Sequence, residues 1–364
     1  MKLLLFMVII SGILTFNSDG QANNSYDYTI AFGSCAHQDR PQPIWQTIVK
    51  TKPQAFLFIG DNIYADTYSP KVMRAKYQQL ARIPEFKEFR SQVPIFATWD
   101  DHDYGVNDAG AEYPLKAEAQ RIFLDFWQGP DLPQRYERKG IYHSVSKQAM
   151  GLNIQLILLD TRYHRSELVK DEGGYTPNTS PEASMLGLEQ WQWLEEELKK
   201  PADLRIIASS IQFLSSLHPY EKWNNFPLER EKMFQMIAKT RANGVVFISG
   251  DRHAGEISAT QHPLIDYPII DITSSGLTDS TKVGVREEAN PFRIEGTKFH
   301  TQRNFGIIKI SKTSSNVKLD LSLIDQQGGV IESHSVRLSD TKRKMFIDTI
   351  KAPIFLYNFC YKLI

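Results

Sequence analysis

Cysteine is scarce in this chain: its 364 residues include only Cys35 and Cys360. That excludes a small disulfide-stapled fold, so stability has to come from an apolar core. Net charge is lacking too, with 42 basic residues against 42 acidic ones. Bulk charge therefore suggests neither a nucleic-acid-binding surface nor an anionic membrane as partner, and any anion must be held by a local site. There is no low-complexity tract and no internal repeat. Beyond the N-terminus no apolar run is long enough for a membrane span, and none is expected in the mature chain.

What is present starts with Lys2, the apolar run "LLLFMVIISGILTF", the polar stretch "NSDG" and the small-residue pattern Gly20-Gln21-Ala22. This is the order of a secretory signal over residues 1–22, cleaved after Ala22, with an uncleaved anchor as the alternative. An exported protein, periplasmic or extracellular, is expected. In an oxidising compartment Cys35 and Cys360 would pair with each other unless Cys35 has another task. Residues 23–340 read as one domain. The apolar segment 341–364, broken by Pro353, reads as a tail packed on it.

Segments 27–32, 55–59, 93–98, 152–159, 204–209 and 244–249 are short, continuously apolar and rich in Ile, Val and Phe. They fit strands covered on both faces. Between many of them, residues 117–127, 187–200 and 228–242 carry apolar positions three and four apart, as helices do. The alternation predicts an α/β fold. Toward the C-terminus "PIIDITSSG", "FGIIKISK", "NVKLDLSLID" and "GVIESHSVRL" alternate apolar with polar residues and predict successive antiparallel strands on the same core.

The strand ends are unusual. Gly33-Ser34-Cys35 closes the first, Gly60-Asp61-Asn62-Ile63-Tyr64 the second, and "WDDHDYGVND" the third. Asp160-Thr161-Arg162 and Gly250-Asp251-Arg252-His253 close two more. In an α/β sheet the carboxyl ends of the strands form the ligand-binding edge. Each piece alone has a plainer explanation: Gly-Asp makes turns, Tyr64 fits a core, and Arg162 could pair with a carboxylate. Together, carboxylates, imidazole, phenol and thiol are metal ligands. So many acidic groups would repel one another unless cations neutralised them, and one carboxylate can bridge two ions. Asp61 is the candidate for that bridge. Arg162 suits a phosphate oxygen, and His102, between Asp101 and Asp103, suits proton transfer. His37, His164 and His218 read as surface or supporting residues.

At these motifs, from "FGSC" through "GDNIY", "WDDHD" and "LDTR" to "SGDRH", the chain resembles the alkaline phosphatase D (PhoD-like) family of calcineurin-like metallophosphoesterases. The resemblance implies a four-layer α/β/β/α sandwich and hydrolysis of phosphate esters. It also implies a multinuclear centre of ferric iron and calcium. Carried over by residue, Cys35, Asp61 and Tyr64 hold iron. Asp61 bridges to calcium, held in part by Asp100 or Asp101, and Asp251 and His253 complete the cluster. The stretch Ser209-Ser210-x-Gln212 stands where the superfamily often supplies another histidine. The β-sandwich that many relatives carry first is not evident after the signal.

The leading expectation is an exported, monomeric, metal-dependent phosphatase or phosphodiesterase in which a metal-bound hydroxide attacks phosphorus. His102 would serve as acid and Arg162 as phosphate clamp. The alternative is a non-catalytic phosphate- or polymer-binding protein on the same scaffold. A serine hydrolase built on Ser209 or Ser210 fails, because no Gly-x-Ser-x-Gly surrounds them.

Overall fold

The computed structural model describes residues 26–129, 132–281, 287–314 and 316–343. The signal segment, Cys360 and the tail beyond residue 343 lie outside them, so a Cys35–Cys360 pairing and the tail's packing do too. The chain starts with β1 (Tyr26–Gly33), α1 (Ile44–Lys50), β2 (Ala55–Ile59), α2 (Pro70–Arg82), α3 (Pro84–Gln92) and β3 (Ile95–Thr98). The short α4 (Asp101–Tyr104), α5 (Lys116–Trp127) and α6 (Leu132–Glu137) lead to β4 (His143–Ala149) and β5 (Leu152–Leu158). A small hairpin, β6 (Val169–Asp171) and β7 (Gly174–Thr176), precedes α7 (Gly187–Lys199), β8 (Leu204–Ala208), α8 (Pro227–Thr240) and β9 (Val245–Ser249). The remaining strands are β10 (Gly255–His262), β11 (Ile265–Ser274), β12 (Asn304–Lys312), β13 (Val317–Asp325) and β14 (Val330–Arg337).

These strands form two six-stranded sheets, β14-β13-β12-β1-β2-β3 and β10-β11-β9-β8-β5-β4. In the first, β1, β2 and β3 run parallel at one end and β12, β13 and β14 extend it antiparallel at the other; the second has a parallel centre, β11-β9-β8-β5, with antiparallel margins. Successive side chains point to opposite faces of a strand. Thus Leu57 and Ile59 of β2 join Val246 and Ile248 of β9 in a core between the sheets. Phe56 and Phe58 turn the other way, onto Trp45 of α1 and Phe86 and Phe89 of α3. On the far side Val245 and Phe247 pack with Leu194 of α7 and Ile237 of α8. The result is the four-layer α/β/β/α sandwich. Each buried Leu, Ile or Phe contributes about 1.5–3 kcal/mol, so three such cores need no cross-links.

The six apolar segments become strands within two residues of their expected bounds. The largest offset is β3, which starts after Pro94; proline has no N–H for a ladder, and its carbonyl instead accepts from Phe56 N at 2.9 Å. One expectation is corrected. The segment "PIIDITSSG" enters β11, which pairs with β9 in parallel and with β10 antiparallel, in the other sheet from β12–β14. Only β12, β13 and β14 form the successive antiparallel set. Alternation identifies a strand but cannot choose its neighbour.

Register positions the strand ends. Gly33 pairs with Phe58 and Ile59 with Thr98, so β1, β2 and β3 end nearly level. In the second sheet Leu158, Ala208 and Ile248 stand side by side. The polar residues that follow meet at one edge of the sandwich.

Candidate functional site

The loops leaving β1, β2 and β9 turn sharply at the residues expected to act. Cys35, Asp61, Asp251 and His253 have φ of 63°, 50°, 68° and 53°. This left-handed region disfavours side chains, and such backbone clusters at functional sites. Gly60, at φ 110°, has no room for a side chain: a Cβ would lie 2.5 Å from Cβ of Asp100. Its absence lets the β2 and β3 loops touch.

Seven expected metal-site residues come together. One ligand atom from each of Cys35, Asp61 and His253 lies within 4.8 Å of the others, and the same holds for Asp61, Asp100, Asp101 and Asp251. Cys35 Sγ lies 3.3 Å from Asp61 Oδ2, and the Tyr64 hydroxyl lies 3.5 Å from that oxygen and 2.9 Å from His253 Nε2. Thiol and phenol thus gather at Asp61 Oδ2, with the imidazole of His253 against the phenol. Asp61, Asp101 and His102 form a third such group, so Asp61 belongs to all three.

Three carboxylate oxygens in this cluster, Asp61 Oδ1, Asp100 Oδ2 and Asp101 Oδ1, are buried with no hydrogen-bond donor among the described residues. Buried acceptors are ordinarily satisfied, so this concentration is an acceptor set suited to cations. Their other oxygens are engaged. Asp100 Oδ1 accepts from Ser210 Oγ at 2.6 Å and from Arg162, while Asp101 Oδ2 accepts from Asp108 N at 2.7 Å. Asp100 Oδ2 is therefore free, while Asp101 Oδ1 accepts no hydrogen bond but lies 3.8 Å from Arg162 Nη2.

Electrostatics follow from burial and crowding. Burial, then neighbouring carboxylates, raise Asp61 and Asp251 well above the usual carboxylate range, against His102 beside the former and Arg252 beside the latter. Burial lifts Asp100 to about 7, although Arg162 opposes it. Burial also acts on Asp101, but His102, Arg162 and the Asp108 N–H outweigh it and hold Asp101 at about 2. Burial would lower His102; the Asp101 and Asp61 charges, with the Asp66 carboxylate 2.7 Å from Nδ1, lift it instead to about 11. Burial lowers His253 to about 4, despite Asp279, leaving a neutral imidazole.

Of the two expected catalytic residues, His102 borders the cavity and Arg162 does not. The His102 ring stacks on Tyr64 at 4.3 Å between centroids and is part of the wall of a cavity of about 510 Å³. Arg162 has no solvent exposure. Its guanidinium pairs with Asp100 and, at 2.5 Å, with Glu221. It is absent from the cavity wall, where Arg252 and Lys170 stand with His102. Arg252 lies 3.8 Å over the Tyr220 ring, is paired with Glu288, and has an unpartnered Nε among the described residues.

Several positioning residues went unread in the sequence. Asp66 carries no mark of its role, and Ser210, noted as standing where the superfamily often supplies a histidine, gave no sign that it would hold Asp100. Asp103 was legible as part of "WDDHD", and its role is structural: Oδ1 accepts from Asp100 N at 2.7 Å and Oδ2 from Asn62 Nδ2 at 2.5 Å. Gln212 turns to Glu256 and Thr273 and is no part of the acidic cluster.

Comparison with known proteins agrees with this architecture. Alkaline phosphatase D of Bacillus subtilis (strain 168) is 24% identical over 270 residues, covering 62% of this chain and 46% of the relative. The chain thus spans about half the length of that curated relative. A solved structure described as that of PhoD superposes with a TM-score of 0.67 at 21% identity, over 89% of this chain and 72% of the other. GAP50, described as the anchor in the inner membrane complex of Plasmodium, gives 0.57 at 14% identity, over 88% and 90%. At these identities the two structures speak for the fold alone. The sequence model of the PhoD-like phosphatases matches residues 30–321, a stretch that holds every residue of the cluster, and on that match the chain belongs to the PhoD-like phosphatase family.

Proposed function

We propose that this chain is an exported, metal-dependent phosphoric ester hydrolase acting on phosphomonoesters or phosphodiesters. The observation that carries this reading is the buried donor set around Asp61, with three carboxylate oxygens that accept no hydrogen bond among the described residues, at a cavity bordered by Arg252. A site built only for structure would pair such oxygens. The intact donor set also speaks against the non-catalytic alternative, although the fold by itself fits both.

The donors fall into two chemical kinds. Cys35, Tyr64 and His253 suit a transition metal such as ferric iron, while Asp100, Asp101 and Asp251 suit a hard cation such as calcium, with Asp61 shared. Bound there, the ions would neutralise the carboxylates, polarise a phosphoryl oxygen and make a coordinated water acidic. The protein's own groups do the rest. His102, cationic and oriented by Asp66 and Tyr64, delivers a proton to the leaving oxygen. Arg252, braced by Tyr220 and Glu288, offers its guanidinium to the phosphate. Arg162 holds Asp100 in place from behind.

Export rests on the residue 1–22 pattern. Among the described residues no helix is long and apolar enough to cross a membrane. A single chain suffices for the site, since all its donors come from one copy.

The test is metal analysis of untagged protein with a panel of phosphomonoesters and phosphodiesters, repeated on Asp61→Ala. The wild type should hydrolyse at least one class and carry both kinds of ion, and the variant should lose both properties while staying folded. A variant with full metal content and full activity would overturn the assignment.

A further inference from the structure

Beside the metal cavity lies a second one that the proposed chemistry leaves idle. Its volume is about 470 Å³, and its wall includes Asp171, Thr176, Leu217, His218, Lys222 and Asn224. It shares Tyr175 and Pro219 with the first cavity. The partition is firm. Tyr175 N donates to Pro219 O at 2.8 Å, and Gly174, at φ 119°, sits so close that a Cβ would meet that of Pro219 at 2.5 Å. The β6–β7 hairpin is therefore pressed onto the 215–222 loop, and the cavities keep a fixed relation.

The wall holds one lysine, Lys222, and one carboxylate, Asp171, and the two form no ion pair with each other among the described residues. Lys222 is 3% exposed and makes no ion pair among the described residues; its Nζ donates to the Tyr220 carbonyl at 2.9 Å. A buried ammonium without an anion is costly. His218, read from the sequence as a surface or supporting residue, is 4% exposed, and neither ring nitrogen has a partner among the described residues. Arg252, in the wall of the first cavity, is near enough to act electrostatically on both. The nearby carboxylates are committed elsewhere. Glu221 pairs with Arg162 and Arg165, Glu288 pairs with Arg252, and Asp171 Oδ1 accepts from Gly173 N at 2.7 Å within its own turn. A buried cation and an unpartnered imidazole at one wall are complementary to an oxyanion.

We propose that the second cavity is an anion subsite that takes a phosphate adjacent to the scissile one. The preferred substrates then carry two neighbouring phosphates, one at the metal centre and one on Lys222 and His218. This rests on the phosphoesterase reading above. Lys222 supplies the charge and the neutral His218 ring a directed N–H. Leu217 and Tyr220, 64% and 51% exposed, leave an apolar rim for the part of the substrate that joins the two phosphates.

The test compares thymidine 5′-(p-nitrophenyl phosphate) with the same compound bearing a 3′-phosphate, using the metal-loaded full chain. The scissile group is identical, so the second phosphate alone is read. The 3′-phosphate should raise kcat/KM about tenfold or more, chiefly through KM, as one charge-assisted hydrogen bond implies. Lys222→Gln and His218→Phe, each confirmed folded by thermal melting, should bring the ratio of the two substrates toward one. Equal kcat/KM in the wild type, or a preference that survives both substitutions, removes the subsite. If neither compound is cleaved, the phosphodiesterase form of that reading fails while the phosphomonoesterase form is left to the monoester panel, and calorimetric titration decides the subsite separately. Tighter binding of thymidine 3′,5′-bisphosphate than of the 5′-monophosphate, lost in Lys222→Gln, keeps it; equal binding ends it.

Discussion

Arg162 shows how far a residue's chemistry depends on what surrounds it. A strand-end arginine suits a phosphate oxygen, yet here it is sealed between Asp100 and Glu221 with no exposure. Removing one member of a buried ion network leaves the others uncompensated, which costs about 3–5 kcal/mol. Arg162→Ala should therefore lower stability by that order in denaturant titrations of the metal-free protein. A variant of unchanged stability with only a raised KM would return Arg162 to the substrate. His102 makes the opposite case, since it reaches the cavity and keeps its proton. His102→Ala should slow esters with basic leaving groups far more than p-nitrophenyl esters, because a general acid matters most when the departing oxygen is basic; its contribution is roughly a hundredfold or more. Equal losses along a leaving-group series would assign it to positioning instead.

Among the elements, the turn after β2 brings the two sides of the site together. Gly60→Ala adds a methyl group where Asp100 Cβ would be 2.5 Å away and Ser210 Cβ 3.0 Å away, and it also strains the backbone at φ 110°. Gly296→Ala isolates the backbone part, since Gly296 has φ 85° with nothing within 4 Å of an added Cβ. The control should lose about 1 kcal/mol. Gly60→Ala should lose about 1–3 kcal/mol more from overpacking, together with bound metal. Equal denaturation midpoints and equal metal content in the two variants would show that the β2 and β3 loops need no close approach. Local sequence marks such elements unevenly. The apolar strands were legible because every residue from Ala55 to Ile59 is buried. Strand β4, "HSVSKQA", was not, being a sheet edge with mostly exposed or half-buried residues. Helix α2 was legible but went unread: its buried Met73, Tyr77 and Leu80 stand four and three apart, the spacing of a helix face.

For the molecule as a whole, metal and protons compete for one buried cluster. In the metal-free protein Asp100 and Asp103 are raised to about 7 and about 8, and Asp61 and Asp251 lie well above the usual range. Their folded pKa values exceed the unfolded ones, so the folded state binds more protons between them. The associated stability is present at acid pH and is lost as pH rises through about 7 to 8. Metal-loaded protein should behave oppositely, because ligands must be deprotonated to bind and ions that bind only the folded chain stabilise it. At a thousandfold excess over Kd the gain is about 4 kcal/mol. Melting curves with and without chelator should therefore converge toward pH 5 and separate toward pH 8. Curves that stay parallel would mean that the acidic cluster and the ion site are different places.

By itself the sequence determined that this is an α/β chain with buried strands, and that Cys, Asp, Tyr and His follow those strands directly. Both are local facts, written in neighbouring residues: an apolar run must be covered, and a polar residue just after it must stand at the sheet's edge. It also marked the loops after β1, β2, β3, β5 and β9 as the places where the chemistry gathers. Tertiary structure alone decided which way each of those side chains turns. Arg162 points inward because Asp100 and Glu221, from distant loops, meet behind it. His253 joins Tyr64 and Cys35, and His218 and Lys222 are buried beside a cavity, only because loops from both sheets end against one another. The physical reason is range. The period of a strand is set within a few residues, whereas the partner of a buried charge is set by the register of strands far apart in the chain.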